Sequence, residues 1–336
     1  MDDAKKNITL NRFLVQCQDR CPTASGELTR VIEQMGVVGK IISGHMRRAA
    51  LEGLVGLTGK TNVQDEKVQR LDEIGNAVFV ESFDYVDIVG AVVSEEMENP
   101  VISPSHGRYG KYVVLIDPID GSSNLDVDCS VGSIFSVRQI RDSIESTLLQ
   151  RGTEQVAAGY LMYGPSTHLV YTAGDGVHLF VLDERIGEFI LVHQDIRMPV
   201  QGKLISANLG NYRKWSPPAR NFSDSLIGTE DGAYSVRYSG ALVADLHQIL
   251  HRGGIYFYPD EQKRPQGKLR LLYECAPLAM LAEQAGGGAT TGEMRVLDVQ
   301  PEAIHQRIPF AIGSRYEIDN YEKSYRDFGM KAVGKK

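Results

Sequence analysis

Between Val156 and His193 the chain passes through four apolar segments of strand length, VAAGYLMY, HLVYTA, VHLFVL and EFILVH. They are divided by turns as short as Gly174-Asp175-Gly176. Short strands at that spacing predict an antiparallel meander. Upstream, VDIVGAVV (86–93), YVVLI (112–116) and GSIFSV (132–137) also read as strands. Helical spacing precedes them. Leu10, Phe13, Leu14 and Cys17 recur behind a capping Thr9; Leu28, Val31, Ile32 and Met35 follow Ser25-Gly26; Val68, Leu71 and Val78 form a third stripe. After Pro199 the pattern alternates: KLISA, a helix over ALVADLHQIL, GIYFY, a long helix over LRLLYECAPLAMLAEQAG, and IPFAIG. Ile318, Tyr321, Tyr325 and Phe328 make a closing helical stripe. Alternating strands and helices predict a mixed α/β (α+β) chain of layered sheets. The break between the two styles puts a boundary near Gln194–Gly202, giving an N-terminal domain over 1–196 and a C-terminal domain over 197–336.

The chain has 336 residues and a net charge of −7, so no basic surplus exists to neutralise a nucleic-acid backbone. No apolar stretch approaches a membrane span, and MDDAKKNITL lacks the apolar core of a signal peptide. The expectation is a cytoplasmic protein with neither nucleic-acid nor membrane partners. Cys17, Cys21, Cys129 and Cys275 form no CxxC pair, and read as small buried residues of a reducing compartment.

The stretch VLIDPIDGSSNLD (114–126) carries the chemistry. An apolar strand delivers Asp117 and, three residues on, Asp120. Pro118 suits a tight turn that would bring the two carboxylates together and turn the Ile119 carbonyl outward. Hard cations take that oxygen set. Gly121-Ser122-Ser123 can then open a loop or helix whose N–H groups face an anion. A solvated turn with a capping aspartate fits the same letters. Glu95 and Glu96, in VVSEEMEN, also sit at a strand end; adjacent extended residues point to opposite sides, so one can hold a metal while the other orients water. In GKLRLLYE, Arg270 and Glu274 have the spacing of a surface pair, but Leu271, Leu272 and Cys275 surround Glu274 with apolar positions and call for a partner. Arg237 and Tyr238, in VRYSG, precede a helix starting near Ala241; arginine suits a bidentate phosphate contact.

Taken together these pieces resemble the class I fructose-1,6-bisphosphatases of the lithium-sensitive phosphatase superfamily. DPIDGSSN looks like that superfamily's metal signature. Lys60-Thr61-Asn62-Val63, VSEE, GKYVV, AAGY, GEFILV, RYSGALVADLH, GGIYFYP and ATTG extend the match from about Leu10 to Tyr325. The resemblance implies an α-β-α-β-α sandwich and a magnesium-dependent, gluconeogenic hydrolysis of the 1-phosphate of fructose 1,6-bisphosphate. It also implies a homotetramer inhibited by AMP. Position by position, it makes Glu95, Asp117, Asp120, Glu274 and the Ile119 carbonyl ligands of two or three magnesium ions, with manganese as a substitute and Glu66 joining from a loop. Glu96 and Asp72 become the pair that takes a proton from water, and Ser122 and Ser123 contacts of the 1-phosphate. Asn208, Tyr238, Tyr258 and Lys268 line the 6-phosphate and sugar pocket, with Arg270 nearby and Arg237 reaching in from a neighbouring subunit. Asn211 stands where the family has a tyrosine, and Tyr212 is expected to take that role.

The resemblance also gives ASGELT (24–29) the look of the family's AMP loop. Ser25, Gly26, Glu27 and Thr29 then meet Lys111 and Tyr112. Gln139 replaces a phosphate-binding arginine, with Arg138 beside it as a substitute, and Ala173 replaces a larger apolar residue. Weakened AMP inhibition is the expectation. The competing activities are sedoheptulose-1,7-bisphosphate or inositol-phosphate hydrolysis, and a silent AMP or sugar-phosphate sensor; Arg237, Tyr238, Tyr258 and Lys268 favour a two-phosphate substrate. No cysteine-bearing insert lies between Val137 and Val156, which argues against a thiol-switched form.

Overall fold

The computed structural model describes residues 8–20, 25–54, 56–61, 67–103, 110–227 and 234–333. Three helices come first: α1 (Leu10–Asp19), α2 (Glu27–Arg48) and α3 (Arg70–Asp84). Thr9 caps α1 by accepting from the Arg12 N–H at 3.3 Å. A two-stranded ribbon, β1 (Leu57–Thr61) and β2 (Lys67–Gln69), precedes α3. The main sheet comprises β3 (Val89–Ser94), β4 (Val101–Ile102), β5 (Tyr112–Asp120), β6 (Val131–Gln139), β7 (Gln155–Tyr163), β8 (His168–Thr172), β9 (His178–Asp183) and β10 (Glu188–His193), with the short α4 (Ile144–Leu148) between β6 and β7. Its spatial order is β10-β9-β8-β7-β6-β5-β3-β4, antiparallel except for the β3–β5 pair. The predicted meander is therefore the run β7 to β10.

The second half supplies β11 (Leu204–Ser206), α5 (Pro217–Leu226), β12 (Ser235–Val236), α6 (Leu242–Arg252), β13 (Ile255–Tyr258), β14 (Leu269–Arg270), α7 (Ala276–Gln284), β15 (Gly288–Thr290), β16 (Arg307–Ile308), β17 (Phe310–Gly313) and α8 (Arg315–Val333). A smaller sheet is ordered β12-β11-β13-β17-β15, and β14 pairs with β16.

Side-chain alternation sets the layers. On β5, Val114 and Ile116 join Phe13, Val31, Met35 and Phe79 of α1–α3 in one core. Val113 and Leu115 point the other way, into a core shared with Leu242 and Leu246 of α6, Leu278 and Leu281 of α7, and Tyr256 and Ile312 of the small sheet. Ile255, Phe257 and Ala311 on the far face of that sheet pack against Phe222 of α5 and Ile318 and Tyr321 of α8. The result is α-β-α-β-α. Both faces of β3 and β5 are covered, which is why their sequences read as continuous apolar runs rather than alternating ones.

Four local expectations change. Val68 lies in β2, and α3 instead buries Leu71, Phe79 and Phe83. The strand predicted over 86–93 begins only at Val89. The long helix expected from Leu269 starts as strand β14, followed by a π-helical turn (Leu271–Cys275) before α7. Cys275 is buried, but Cys129 is exposed, so the cysteines are not uniformly core residues; Cys21 lies outside the described residues.

Candidate active site

Pro118 does not make a turn. β5 runs on through it to Asp120, and the irregularity is a bulge: Asp117 opposes Ile134 and Asp120 opposes Gly132, so three steps on β5 face two on β6. Proline lacks the N–H that an unbroken ladder would need, which suits a bulge. The Ser133 hydroxyl fixes the spot, donating to the Pro118 carbonyl at 2.6 Å and lying 2.9 Å from the Tyr163 hydroxyl. Residues three apart on a regular strand point to opposite faces; the extra residue turns Asp117 and Asp120 toward the same acid, Glu274.

Three elements converge there. Glu95 follows β3, Asp117 comes from β5 and Glu274 from the π turn. One carboxylate oxygen from each lies within 4.8 Å of the others, and all three residues are buried. π turns often mark functional sites; here the wider turn presents Glu274, whose Oε2 accepts from the Arg270 N–H at 2.5 Å. The Arg270 side chain is not at the surface. It is 6 % exposed, with Nη1 2.8 Å from Glu95 Oε1 and 3.8 Å from Glu274 Oε2. A guanidinium thus stands where the acids would share a cation. Burial, then Glu95, Asp120 and Glu274, push the Asp117 carboxyl up, and Arg270 opposes them. Burial likewise pushes Asp120 up to about 7, although the N–H groups of Val243 and Leu242 at the start of α6 favour its charged form. Buried oxygens with this much mutual repulsion suit a hard divalent cation.

Ile119 is buried beside these acids. Asp72 is buried in the first turn of α3, its Oδ2 accepting from the Gln69 N–H at 2.8 Å in a capping box. Glu96 is half-buried, its N–H bonded to the Ser94 hydroxyl at 3.2 Å. Glu66 lies outside the described residues, as do Asn62 and Val63. Ser122 and Ser123 open a 3₁₀ turn (Ser122–Val127) whose cap, Gly121, has φ 77°.

The residues expected on the sugar side gather around the loop before α6. Asn208 caps a short 3₁₀ turn and lies beside the Tyr238 hydroxyl; Tyr258 adjoins Tyr238, and Lys268 Nζ stands 5.9 Å from the Tyr258 ring centre. Burial raises the Tyr238 hydroxyl to about 12, so it stays a neutral donor. Arg237 is exposed. Tyr212 points elsewhere: its hydroxyl donates to Asp224 of α5 at 2.8 Å and its ring packs on Trp215.

At the other end of the N-terminal half, Gly26 caps α2 in a left-handed conformation, φ 79°. Lys111 contacts Glu27, and the Ser25 hydroxyl donates to Glu27 Oε2 at 2.6 Å. The Thr29 hydroxyl faces Gln18, and Tyr112 is buried next to Lys111. Glu27 thus supplies an internal anion at a helix N-terminus. Arg138 cannot substitute for Gln139. Neighbours on a strand face opposite sides, and Arg138 is fully buried, donating to the Gln150 carbonyl. Gln139 and Ala173 are exposed.

The sequence did not single out Asn124 or Asp245, both of which hold the loop bearing Arg237 and Tyr238. For Asp245 the available signal was a carboxylate within the apolar helix ALVADLHQIL.

The chain's relatives place this five-layer sandwich and its buried acids among the phosphoric monoester hydrolases. The family profile "Fructose-1-6-bisphosphatase, N-terminal domain" matches residues 8–194, and "Fructose-1-6-bisphosphatase, C-terminal domain" matches residues 198–326. Fructose-1,6-bisphosphatase class 1 of Thermosynechococcus vestitus is 46 % identical over 312 residues, covering 91 % of this chain and 89 % of that protein. The class 1 enzyme of Persephonella marina is 46 % identical over 318 residues, covering 94 % and 98 %. A crystal structure of Leishmania major fructose-1,6-bisphosphatase in holo form superposes with a TM-score of 0.90 at 38 % identity, covering 96 % of this chain and 99 % of that one. The chain belongs to the class I fructose-1,6-bisphosphatases and hydrolyses fructose 1,6-bisphosphate. Among the described residues, no helix is long and apolar enough to cross a membrane.

Proposed function

We propose that hydrolysis of the 1-phosphate runs on magnesium ions held by Glu95, Asp117, Asp120, Glu274 and the Ile119 carbonyl, with Glu66 as a further ligand. The observation that carries this reading is the convergence of three buried carboxylates, from β3, β5 and the π turn, within 4.8 Å. Such ions supply positive charge to the phosphoryl oxygens and lower the pKa of a coordinated water. The protein does the rest. Arg270, paired with Glu95, offsets the repulsion among the acids and gives way as they take up their ligand. Glu96, half-buried next to Glu95, accepts the proton of the attacking water, with Asp72 steadying it. Ser122, Ser123 and the N–H groups of their turn hold the 1-phosphate as charge moves to the leaving oxygen. Asn208, Tyr238, Tyr258 and Lys268 hold the 6-phosphate and sugar, with Arg270 adjacent and Tyr212 joining after releasing Asp224.

The same reading divides the chain into a metal-bearing domain over 1–196 and a sugar-phosphate domain over 197–336. It places Arg237 at the site of a neighbouring subunit in a homotetramer, in the cytoplasm. AMP acts as an allosteric inhibitor at Ser25, Gly26, Glu27, Thr29, Lys111 and Tyr112. Its phosphate must displace Glu27 from Lys111, and it lacks an arginine at 139, so its hold is weak.

The test is phosphate release from fructose 1,6-bisphosphate by metal-stripped protein, followed by return of magnesium or manganese. Sedoheptulose 1,7-bisphosphate is run beside it. Activity restored by either ion supports the assignment; full turnover in excess chelator contradicts it.

A further inference from the structure

The turn that follows β5 and the loop that precedes α6 are fastened at three successive points. First, the Asp120 carboxylate accepts from the Leu242 N–H at 3.1 Å and the Val243 N–H at 2.7 Å. Second, Gly121 lies so close to Ala241 that a Cβ on it would stand 2.4 Å from the Ala241 Cβ; its φ of 77° independently favours glycine. Third, Asn124 Nδ2 donates to the Ser239 carbonyl at 3.0 Å and to the Ser130 carbonyl at 3.3 Å. Asp245, buried in the first turns of α6, holds the same residue from within, accepting from the Ser239 N–H at 2.9 and 3.2 Å. Ser239 is thus held at both its N–H and its carbonyl. One residue before it is Tyr238, and one before that Arg237. On the other side of the fastening are Ser122 and Ser123.

We propose that Asn124 and Asp245 are positioning residues that fix the distance between the two phosphate seats, and so select a substrate whose phosphates are separated by that span. The proposal rests on the assignment of Ser122 and Ser123 to one phosphate and Tyr238 to the other. Its physical basis is chelation. A bisphosphate that has filled one seat meets the second at an effective concentration set by the geometry of the two seats. If the Ser239 loop moves relative to the 3₁₀ turn, each seat keeps its own donors, but the two no longer match one rigid ligand. Affinity for the two-phosphate substrate then falls while affinity for each half persists. A residue with a merely structural role would weaken everything together, and a residue of one seat would weaken one half.

The experiment uses the full chain with Asn124→Ala and, separately, Asp245→Asn. Three constants are measured in each: KM for fructose 1,6-bisphosphate, and the inhibition constants of inorganic phosphate and of fructose 6-phosphate. Thermal midpoints are recorded alongside. The expected result is a rise of about tenfold or more in KM, which corresponds to about 1.4 kcal/mol, with both inhibition constants within about twofold of wild type. An unchanged KM in Asn124→Ala overturns the proposal. So does a rise in either inhibition constant as large as the rise in KM. Asn124 is half-buried where Asp245 is fully buried, so its alanine variant carries the test if Asp245→Asn does not fold. The seat assignment is checked separately. Ser122→Ala should raise the inhibition constant of phosphate and Tyr238→Phe that of fructose 6-phosphate; failure there removes the assignment and leaves the Asn124 measurement readable on its own.

Discussion

Replacing Arg270 by methionine tests whether this side chain is the internal stand-in for a divalent cation. Its Nη1 lies 2.8 Å from Glu95 Oε1 and 3.8 Å from Glu274 Oε2, in a pocket where all three side chains are about 5–6 % exposed. Methionine occupies a similar volume, so the cavity contribution is small. The dominant effect is electrostatic: breaking a buried pair by removing one partner costs about 3–5 kcal/mol, because the other charge is left uncompensated. Asp117 and Asp120, whose carboxyls are already pushed up by burial, lose a nearby cation that opposes protonation in this cluster. A cation that binds the acids replaces what the guanidinium supplied. Urea unfolding of wild type and Arg270→Met, each in chelator and in saturating magnesium, reads this directly. In chelator the variant should be less stable by about 3–5 kcal/mol. In magnesium the gap should shrink to about 1 kcal/mol, because ligand binding to the folded state stabilises the variant more. An equal loss in both conditions would make Arg270 a packing residue and not a stand-in for the cation.

Shared sites are tested by subunit exchange: mixing Arg237→Ala with Asp120→Asn chains should restore part of the activity, and properly exchanged hybrids with none would assign Arg237 to its own chain. Acid sensitivity should centre on His247, whose Nδ1 lies 2.8 Å from the Tyr160 hydroxyl and whose ring is 5.0 Å from His168 and 4.8 Å from His251. Burial, and then the neighbouring imidazoles, push it down to about 3. The unfolded chain therefore binds the extra proton; stability is full above about pH 6.5 and declines below it, by about 2 kcal/mol at pH 5. His247→Gln should flatten the thermal midpoint between pH 7 and pH 5, and an unaltered slope would locate the acid sensitivity elsewhere. AMP should inhibit wild type noncompetitively, and Lys111→Ala should weaken that inhibition about tenfold or more, as expected for one charge-assisted contact; unchanged or substrate-competitive inhibition would place AMP at another site.

How much of this was legible in the sequence depended on the range of the interaction. The meander β7–β10 could be read from strand-length runs and short turns because each pairing is local. Helices α1 and α2 could be read from their caps and apolar spacing. The bulge at Pro118 could not, because the same DPID letters suit a tight turn, and only the register against Ile134 and Gly132 separates the two. The π turn escaped for a similar reason: LRLLYECAP has helical composition, and the switch from strand depends on β14 pairing with β16. Arg270 and Glu274 had the spacing of a surface pair. Their burial follows from β3 bringing Glu95 across from a segment about 175 residues away in sequence, at the salt-bridge distance seen here. Arg138 offered itself as a neighbour of Gln139, yet strand alternation sends it into the interior. Asp245 looked like an ordinary helix residue because its partner, the Ser239 N–H, belongs to the backbone and leaves no trace in side-chain patterns.

If the carboxylates of β3, β5 and the π turn carry the hydrolysis through bound magnesium, Asp117→Asn must disable it. The substitution keeps the shape of a buried strand residue and removes one charge from the cluster. The measurement is the magnesium dependence of phosphate release from fructose 1,6-bisphosphate, with the thermal midpoint as a check on folding. Turnover should fall by at least about a hundredfold at saturating magnesium in a protein that remains folded. Near-normal, magnesium-dependent turnover by the folded variant would contradict that role for the carboxylates.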